Sequence, residues 1–307
     1  MRQFLIGKND CGQRLDKFLQ KAVKGLPAGL LYKYIRLKRI KRNGRRCDGS
    51  DLLLEGDVLS LYINDEFFSA PEKEPDFLKA SPALRIVYED ENILLADKEP
   101  GLLVHEDRSR TEDTLINRIK RYLYEKGEYR PEQEQSFAPA LCNRIDRNTG
   151  GLVIAAKNAE ALRILNEKLR LREIKKYYLC LTEGRPVLEE GTLVHYLEKD
   201  GGQNKVFLSE APTPQGKKII THYRVLRSDG RHSLLETELE TGRSHQIRAQ
   251  LAYIGHPLVG DKKYGARESA KYHALYSHKL RFAFQSSAGK LDYLNGREFR
   301  AERVWFA

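Results

Sequence analysis

The segment LETGRSHQIRAQLAYIGHPLVGDKKYG, residues 239–265, contains the pattern that decides the fold of this chain. A strand is predicted to end at Thr241-Gly242, and a helix to follow and stop at Gly255. The helix has an apolar face formed by Ile247, Leu251 and Ile254. Its first turns carry the basic residues Arg243, His245 and Arg248. Basic side chains and free backbone N–H groups at a helix start form an anion site, although a basic surface helix with a structural histidine fits the same pattern.

A second polar segment, LCNRIDRNTGGLVIAAKN, lies about a hundred residues upstream, at 141–158. Arg144, Asp146 and Arg147 are predicted to lie in a turn just before an apolar strand that begins at Leu152. Two flanking guanidinium groups favour the ionised form of a carboxyl group. Asp146 is therefore a candidate functional carboxylate, and a structural aspartate between surface arginines is the alternative.

The composition is that of a charged globular protein long enough for two domains. Of 307 residues, 40% are hydrophobic and 32% charged. The longest apolar runs are far shorter than the roughly 18–20 residues of a membrane span, and the polar start MRQFLIGKND lacks the apolar core of a signal peptide. We therefore expect a cytoplasmic protein with no membrane partner. The cysteines show no metal-ligand spacing, so neither disulfides nor a structural metal is expected; they are Cys11, Cys47, Cys142 and Cys180.

The positive charge is concentrated near the N-terminus. The chain holds 54 Lys and Arg against 43 Asp and Glu, a net charge of +11, and residues 31–46 contain eight basic residues and no acidic one. Such a stretch favours an anionic partner, and nucleic acid is the first candidate. A generic basic surface is the alternative. We expect six residues of this stretch to contact RNA: Lys33, Arg36, Lys38, Arg39, Lys41 and Arg42.

Composition and periodicity divide the chain into two domains. Residues 1–66 read as two helices, 14–23 and 28–39, followed by an Asn43-Gly44 turn and a strand in 56–63. Residues 67–82 lose this periodicity, carry three prolines and are predicted to be a linker. Residues 83–307 form the second domain.

The second domain mixes strands and helices without strict alternation. Hairpins are predicted around 90–92 and 228–230, a strand at 174–184, and helices within 112–127 and at 159–172. The expected fold class is therefore α+β, a largely antiparallel or mixed sheet flanked by helices. Phosphate-loop, dinucleotide, hydrolase-elbow and zinc motifs do not occur, so function classes that depend on those motifs lose support.

The two polar segments resemble the paired signatures of the pseudouridine synthases of the RluA, RluC and RluD type. In that family H-R-L-D-x-x-T-S-G is followed by T-G-R-x-H-Q-[IL]-R and by G-H-P-[IL]-x-G-D-x-x-Y-G. The intervening KKYYLCLTEG, residues 175–184, is similar to the family's K-x-Y-x-A segment. Residues 1–66 resemble the S4 RNA-binding domain, so the resemblance covers nearly the whole chain. The chain departs from the signature at Asn143, Ile145 and Gly150, where the family usually has His, Leu and Ser.

The resemblance implies that uridine in RNA is isomerised to pseudouridine without a cofactor. Asp146 would be the catalytic residue, and whether it attacks C1′, attacks C6 or removes a proton stays open. Arg248 would pair with Asp146, Arg144 and Arg243 would hold RNA, and Tyr178 would stack on the uracil beside an apolar wall at Ile247. A lone carboxylate suits this task better than glycoside hydrolysis, which normally needs two.

Large-subunit ribosomal RNA of the 23S type is the expected substrate, by analogy with synthases that carry an S4 unit. Transfer RNA is the alternative substrate, and we expect the protein to be a monomer. Two other function classes stay open. A non-catalytic S4-type RNA-binding or ribosome-assembly protein would have no need for Asp146 beside Arg248, and a nucleosidase would require a second carboxylate.

Overall fold

A computed structural model describes residues 1–68, 75–106, 111–200 and 205–307, which form two separate β-sheets. The first sheet belongs to the N-terminal unit and has the strand order β1-β4-β2-β3. Its elements are β1 (Arg2–Leu5), α1 (Leu15–Ala22), α2 (Ala28–Arg36), β2 (Ile40–Arg42), β3 (Arg45–Arg46) and β4 (Val58–Leu61). Strand β1 was not predicted from the sequence.

The N-terminal unit has its own apolar core, in which Phe18 and Leu19 of α1 pack against Leu31 and Ile35 of α2. Helix α2 ends three residues before the predicted boundary because Lys38 has a left-handed backbone, with φ of 60°. The turn between β2 and β3 falls at Asn43-Gly44, where both residues have positive φ, as this pair predicts.

The second sheet is mixed and has eleven strands, which confirms the predicted α+β class. Nine strands follow the order β11-β10-β12-β13-β9-β14-β8-β6-β5, with β15 and β7 paired to β14 and β8. The strands are β5 (Ile86–Glu89), β6 (Ile93–Lys98), β7 (Ala140–Leu141), β8 (Gly150–Ala156), β9 (Ile174–Glu183), β10 (Glu190–Lys199), β11 (Val206–Ser209), β12 (Lys217–Ser228), β13 (His232–Leu239), β14 (Leu275–Phe282) and β15 (Glu298–Arg300). Strand β14 runs parallel to β8 and antiparallel to β9, and so joins the two halves of the sheet.

Among the described residues, three α-helices cover this sheet: α3 (Leu115–Glu125), α4 (Ala159–Arg170) and α5 (Gln246–Tyr253). The side chains of Thr114 and Asn158 cap α3 and α4 by accepting backbone N–H groups. Leu165 of α4 packs with β8, β9 and β14, whereas Leu251 of α5 packs with Tyr178 and Cys180 of β9. Within the described ranges, no helix has the length and apolar character of a membrane span.

The predicted linker, residues 67–82, is described at 67–68 and 75–82, and both of these parts pack against an apolar core. Phe67 and Phe68 lie against the N-terminal core, whereas Phe77, in a 3-10 helix at Asp76–Lys79, packs among residues of the large sheet and α3. Pro71 lies outside the described residues.

Polar contacts join the N-terminal unit to the second sheet and its helices. Ser136 Oγ donates to Asp10 Oδ1 at 2.6 Å and accepts from Gln13 Nε2 at 2.7 Å. Arg163 of α4 donates to the carbonyl of Cys11 at 2.7 Å. The N-terminal unit is therefore held against the larger body by hydrogen bonds at this contact.

Candidate active site

Asp146 lies in the turn between β7 and β8, and Arg248 lies on the first turn of α5. Arg248 Nη1 is 3.1 Å from Asp146 Oδ2, which is the pairing expected from the sequence. The Arg248 side chain is only 8% exposed, whereas that of Asp146 is 27% exposed. Solvent can thus reach the Asp146 carboxylate, while the buried Arg248 guanidinium group binds it from the protein interior.

Asp261 fixes the other side of the same guanidinium group. Its two oxygens accept from Arg248 Nε at 2.7 Å and from Nη2 at 2.9 Å, and its side chain is 2% exposed. Such a two-pronged contact sets the plane of the guanidinium group as well as its position. Asp261 belongs to the GDKKYG end of the segment at 239–265, but the sequence pattern alone gave it no role.

The start of α5 differs from the prediction. The helix begins at Gln246, so Arg243 and His245 precede it and do not lie in its first turns. The Gln246 side chain accepts from the backbone N–H of Arg243, and His245 has a left-handed backbone that no regular helix contains. His245 Nε2 lies 3.8 Å from Asp146 Oδ2.

Tyr178 and Ile247 share the apolar cluster that underlies Asp146. Tyr178, on β9, is 5% exposed and Ile247 is 3% exposed, and Ile145 of the Asp146 turn packs against the same cluster. Burial raises the pKa of the Tyr178 hydroxyl to about 12, and the Asp146 charge acts in the same direction. Tyr178 therefore stays neutral and lies close enough to Asp146 to sense its charge.

Lys98, at the end of β6, is a buried cation that was not predicted from the sequence. Its ammonium group donates to the carbonyls of Glu99, Leu102 and Arg147, at 2.9, 2.8 and 2.9 Å. Burial lowers the pKa of Lys98 to about 7, while the Asp146 charge opposes this shift. Since Arg147 follows Asp146 directly, Lys98 fixes the backbone of the turn. A lysine that ends the apolar run ILLADK was the available signal.

Arg144 and Arg243, both predicted to hold RNA, have exposed side chains at this end of the molecule. In the N-terminal unit, four of the six predicted contact residues are exposed: Lys33, Arg36, Lys38 and Arg39. Lys41 is half-buried, with its Nζ 5.5 Å from the centre of the Tyr62 ring. Arg42 is also half-buried and is bound at 2.7 Å to the buried carboxylate of Asp57, so it has a structural partner as well.

Two of the departures from the family signature have structural explanations. Asn143 Oδ1 accepts the backbone N–H of Ile154 at 2.8 Å, so its side chain ties the turn to β8. A Cβ atom on Gly150 would lie 2.3 Å from Cε2 of Tyr276, so the ring occupies the space that a serine side chain would need. Both residues shape the strand behind Asp146, and neither points to a different reaction.

The geometry combines an accessible carboxylate, a buried counter-cation and an aromatic ring. A carboxylate held in this way can act as a nucleophile or a base without first reorganising its charge partner. Asp261 is not available as a second acid or base, since both of its oxygens bind Arg248.

Comparison with known proteins agrees with this geometry. Residues 92–253 match the family model described as RNA pseudouridylate synthase. An "Uncharacterized RNA pseudouridine synthase" of Mycoplasma capricolum is 32% identical over 311 residues, covering 100% of this chain and 99% of that protein. The "Ribosomal large subunit pseudouridine synthase D" of Escherichia coli strain K12 is 33% identical over 263 residues, covering 85% of this chain and 76% of that protein.

Solved structures show a similar fold. Human RNA Pseudouridylate Synthase Domain Containing 1 aligns with a TM-score of 0.55 and 23% identity over 70% of this chain and 83% of that one. Human RNA Pseudouridylate Synthase Domain Containing 4 gives a TM-score of 0.56 and 19% identity, over 72% and 89%.

Proposed function

Because the chain belongs to the RNA pseudouridylate synthase family and is an RNA pseudouridine synthase, we propose that Asp146 is its catalytic residue. The contact between Asp146 Oδ2 and Arg248 Nη1 carries this proposal. It gives the turn at 144–147 a charged, accessible carboxylate whose position is fixed from the protein interior.

In the reaction, the bond between C1′ and N1 of uridine breaks and a bond between C1′ and C5 forms. A proton leaves C5 and one is gained at N1, so no group or electron is transferred to the protein overall. Attack by Asp146 at C1′ or C6, and proton removal by Asp146, all need an ionised oxygen at the base and sugar. Arg248 stabilises that charge, and Tyr178 and Ile247 offer the uracil an apolar surface on which it can turn.

We also propose that residues 1–66 are an S4-like RNA-binding domain and that the substrate is large-subunit ribosomal RNA. The exposed cations on and after α2 support RNA contact, because phosphate binding by Lys and Arg releases counterions. The Escherichia coli relative is named as a ribosomal large subunit pseudouridine synthase, which supports this choice of substrate. Arg144 and Arg243 would contact the same RNA near the target nucleotide, which must leave the base stack to reach Asp146.

The variant Asp146→Asn tests the catalytic role. Total RNA from a strain that lacks the protein serves as substrate, and pseudouridine is mapped at single-nucleotide resolution. We expect no product from Asp146→Asn, with RNA affinity within a few-fold of the unaltered protein, because the amide keeps the shape without the charge. Asp229→Asn, in an exposed turn, is the matched control and should retain full activity. Substantial turnover by Asp146→Asn would remove Asp146 from this role.

The same mapping in cells with and without the protein tests the substrate. Sites that disappear only from large-subunit ribosomal RNA would support the proposal. Sites that disappear from transfer RNA would replace it with the alternative substrate.

A further inference from the structure

His245 occupies a backbone conformation that aims its ring at the catalytic turn. Its φ of 58° and ψ of 14° place it in the left-handed region, just before the first residue of α5. Histidine enters this region more readily than most residues, but non-glycine residues held there concentrate at functional sites. The conformation places Nε2 of His245 3.8 Å from Oδ2 of Asp146.

Hydrogen bonds around Tyr264 favour one of the two tautomers of the His245 ring. The backbone N–H of Val206 donates to the Tyr264 hydroxyl oxygen at 3.2 Å. The same hydroxyl lies 2.8 Å from Nδ1 of His245. The oxygen accepts from Val206, and its own hydrogen can be donated to Nδ1, which is the arrangement we take. Nδ1 is then the acceptor, and Nε2 carries the hydrogen.

The position of Asp146 favours the same tautomer. With a hydrogen on Nε2, the ring directs a positive edge at the Oδ2 atom. With the hydrogen on Nδ1, a nitrogen lone pair would face the carboxylate and repel it. Burial lowers the pKa of His245, and the nearby Arg248 and Lys263 lower it further, whereas Asp146 and Asp261 raise it. The net effect is a pKa below the usual value for histidine, which favours the neutral ring.

Two groups thus act on one oxygen of Asp146. Arg248 Nη1 donates to Oδ2, and His245 Nε2 approaches the same atom. In the described part of the chain, no hydrogen bond is made to Oδ1. The two oxygens of the carboxylate are therefore not equivalent.

We propose that His245 is a positioning residue, locked by Tyr264 with its hydrogen on Nε2, which with Arg248 holds Oδ2 and leaves Oδ1 of Asp146 to react with uridine. This inference rests on the proposed catalytic role of Asp146. Tyr264 also lies under Arg248, whose Cζ is 5.1 Å from the ring centre, so one tyrosine orients both groups that act on Oδ2.

The first experiment reads the tautomer directly and needs no RNA. Protein labelled with ¹⁵N-histidine is examined by NMR at neutral pH, and the His245 signals are assigned by their loss in His245→Asn, a replacement that also tolerates a left-handed backbone. We expect the Nε2–H tautomer in the unaltered protein and a mixture in Tyr264→Phe. An Nδ1–H tautomer in the unaltered protein would overturn the proposal, whether or not Asp146 is catalytic.

The second experiment measures single-turnover rates and RNA affinity with the total RNA substrate. Tyr264→Phe keeps the ring under Arg248 but removes the hydroxyl, and we expect the rate to fall about tenfold, with affinity within twofold. In the His245→Asn background, Tyr264→Phe should cause no further loss, because its effect passes through His245. Tyr253→Phe, on α5 but packed against His195, is the matched control and should change neither quantity.

Each kinetic result has a distinct meaning. Independent, multiplicative effects of Tyr264→Phe and His245→Asn would overturn the coupling, and a loss confined to RNA affinity would make His245 a binding residue. Absence of any product from the unaltered protein would refute the proposed function. The NMR experiment would still show which tautomer His245 adopts, because it needs no RNA.

Discussion

Asp261 binds Arg248 through both of its carboxylate oxygens, whereas Asp146 receives only one hydrogen bond from the same guanidinium group. The fully buried Asp261 therefore makes the stronger interaction with Arg248. Arg248 is therefore oriented by the core and presented to Asp146, and the accessible carboxylate does not have to hold its own partner in place.

Asp261→Asn should accordingly lower both stability and turnover. The amide offers one oxygen in place of two and leaves part of the buried guanidinium charge uncompensated, a loss of about 3 kcal/mol in the free energy of unfolding. Urea unfolding and pseudouridine mapping measure the two effects. Asp76→Asn, which alters an exposed ion pair with Lys79, is the control and should change neither. Unaltered stability of Asp261→Asn would contradict the orienting role.

Replacing Gly150 with serine should destabilise the protein through Tyr276. The added Cβ would overlap the Tyr276 ring, and overpacking of this kind costs about 1–3 kcal/mol. The same substitution in a Tyr276→Phe background should cost as much, because the ring remains. In a Tyr276→Leu background the cost should fall, and an equal cost in all three backgrounds would show that Tyr276 is not the obstacle. Thermal or urea unfolding provides the measurement.

Stability should decline between about pH 6.5 and pH 4 because of His273. Its ring is buried, lies 2.8 Å from Thr149 Oγ1, and burial lowers its pKa to about 4. In this interval the unfolded chain binds a proton on His273 that the folded chain does not, so the free energy of unfolding falls as the pH falls, by up to about 3 kcal/mol. Urea unfolding at pH 7 and pH 4.5 should show a smaller difference for His273→Gln. The exposed His222→Gln is the control, and an undiminished difference in His273→Gln would exclude His273 as a cause.

Tyr178 should contribute to substrate turnover through its ring and not its hydroxyl. Tyr178→Phe retains the aromatic face, whereas Tyr178→Leu removes a surface worth about 1–3 kcal/mol to a stacked base. We expect a rate near that of the unaltered protein for the first and a loss of ten- to a hundredfold for the second. Urea unfolding of both variants separates stacking from packing, since Tyr178 is also a core residue. A rate loss in Tyr178→Leu that merely follows the fraction unfolded would argue against stacking.

The exposed cations at the end of α2 and just after it should set the salt dependence of RNA binding. Replacing Arg36, Lys38 and Arg39 together with glutamine should reduce the slope of log affinity against log salt by about 2, since each phosphate that is no longer neutralised lowers the slope by roughly 0.7–0.9. Filter binding to a large-subunit RNA transcript measures the slope. Lys17→Gln with Lys24→Gln, on and after α1, is the control. An unchanged slope in the triple variant would mean that these charges are only solvated.

Periodic and turn-forming segments of this chain could be predicted from sequence, but residues fixed by distant packing could not. The Asn43-Gly44 turn and the hairpin of β12 and β13 follow from local residue preferences. Strands β10 and β11 were not predicted. They are identified by their pairing in the structure, where β10 lies between β12 and β11. The start of α5 was placed too early because the left-handed backbone of His245 is imposed by its surroundings.

The pairing of Asp146 with Arg248 came from a family resemblance, whereas the groups that support it came from the fold. Asp261 lies 13 positions beyond Arg248, and Lys98 lies 48 positions before Asp146. Neither spacing corresponds to a local structural period. Their roles depend on how β6, β8 and α5 pack together, and this packing cannot be predicted from local patterns in a single sequence.

The position of β14 between β8 and β9 affects when the enzyme becomes competent during its own synthesis. The strand that follows the Asp146 turn and the strand that carries Tyr178 are joined through residues 275–282, which lie far beyond both in the sequence. Because translation proceeds from the N-terminus, the exposed cations of α2 and the Asp146 turn leave the ribosome well before this strand does. The joined sheet on which the site is built is therefore completed only after the Asp146 turn and β9 have both been synthesised.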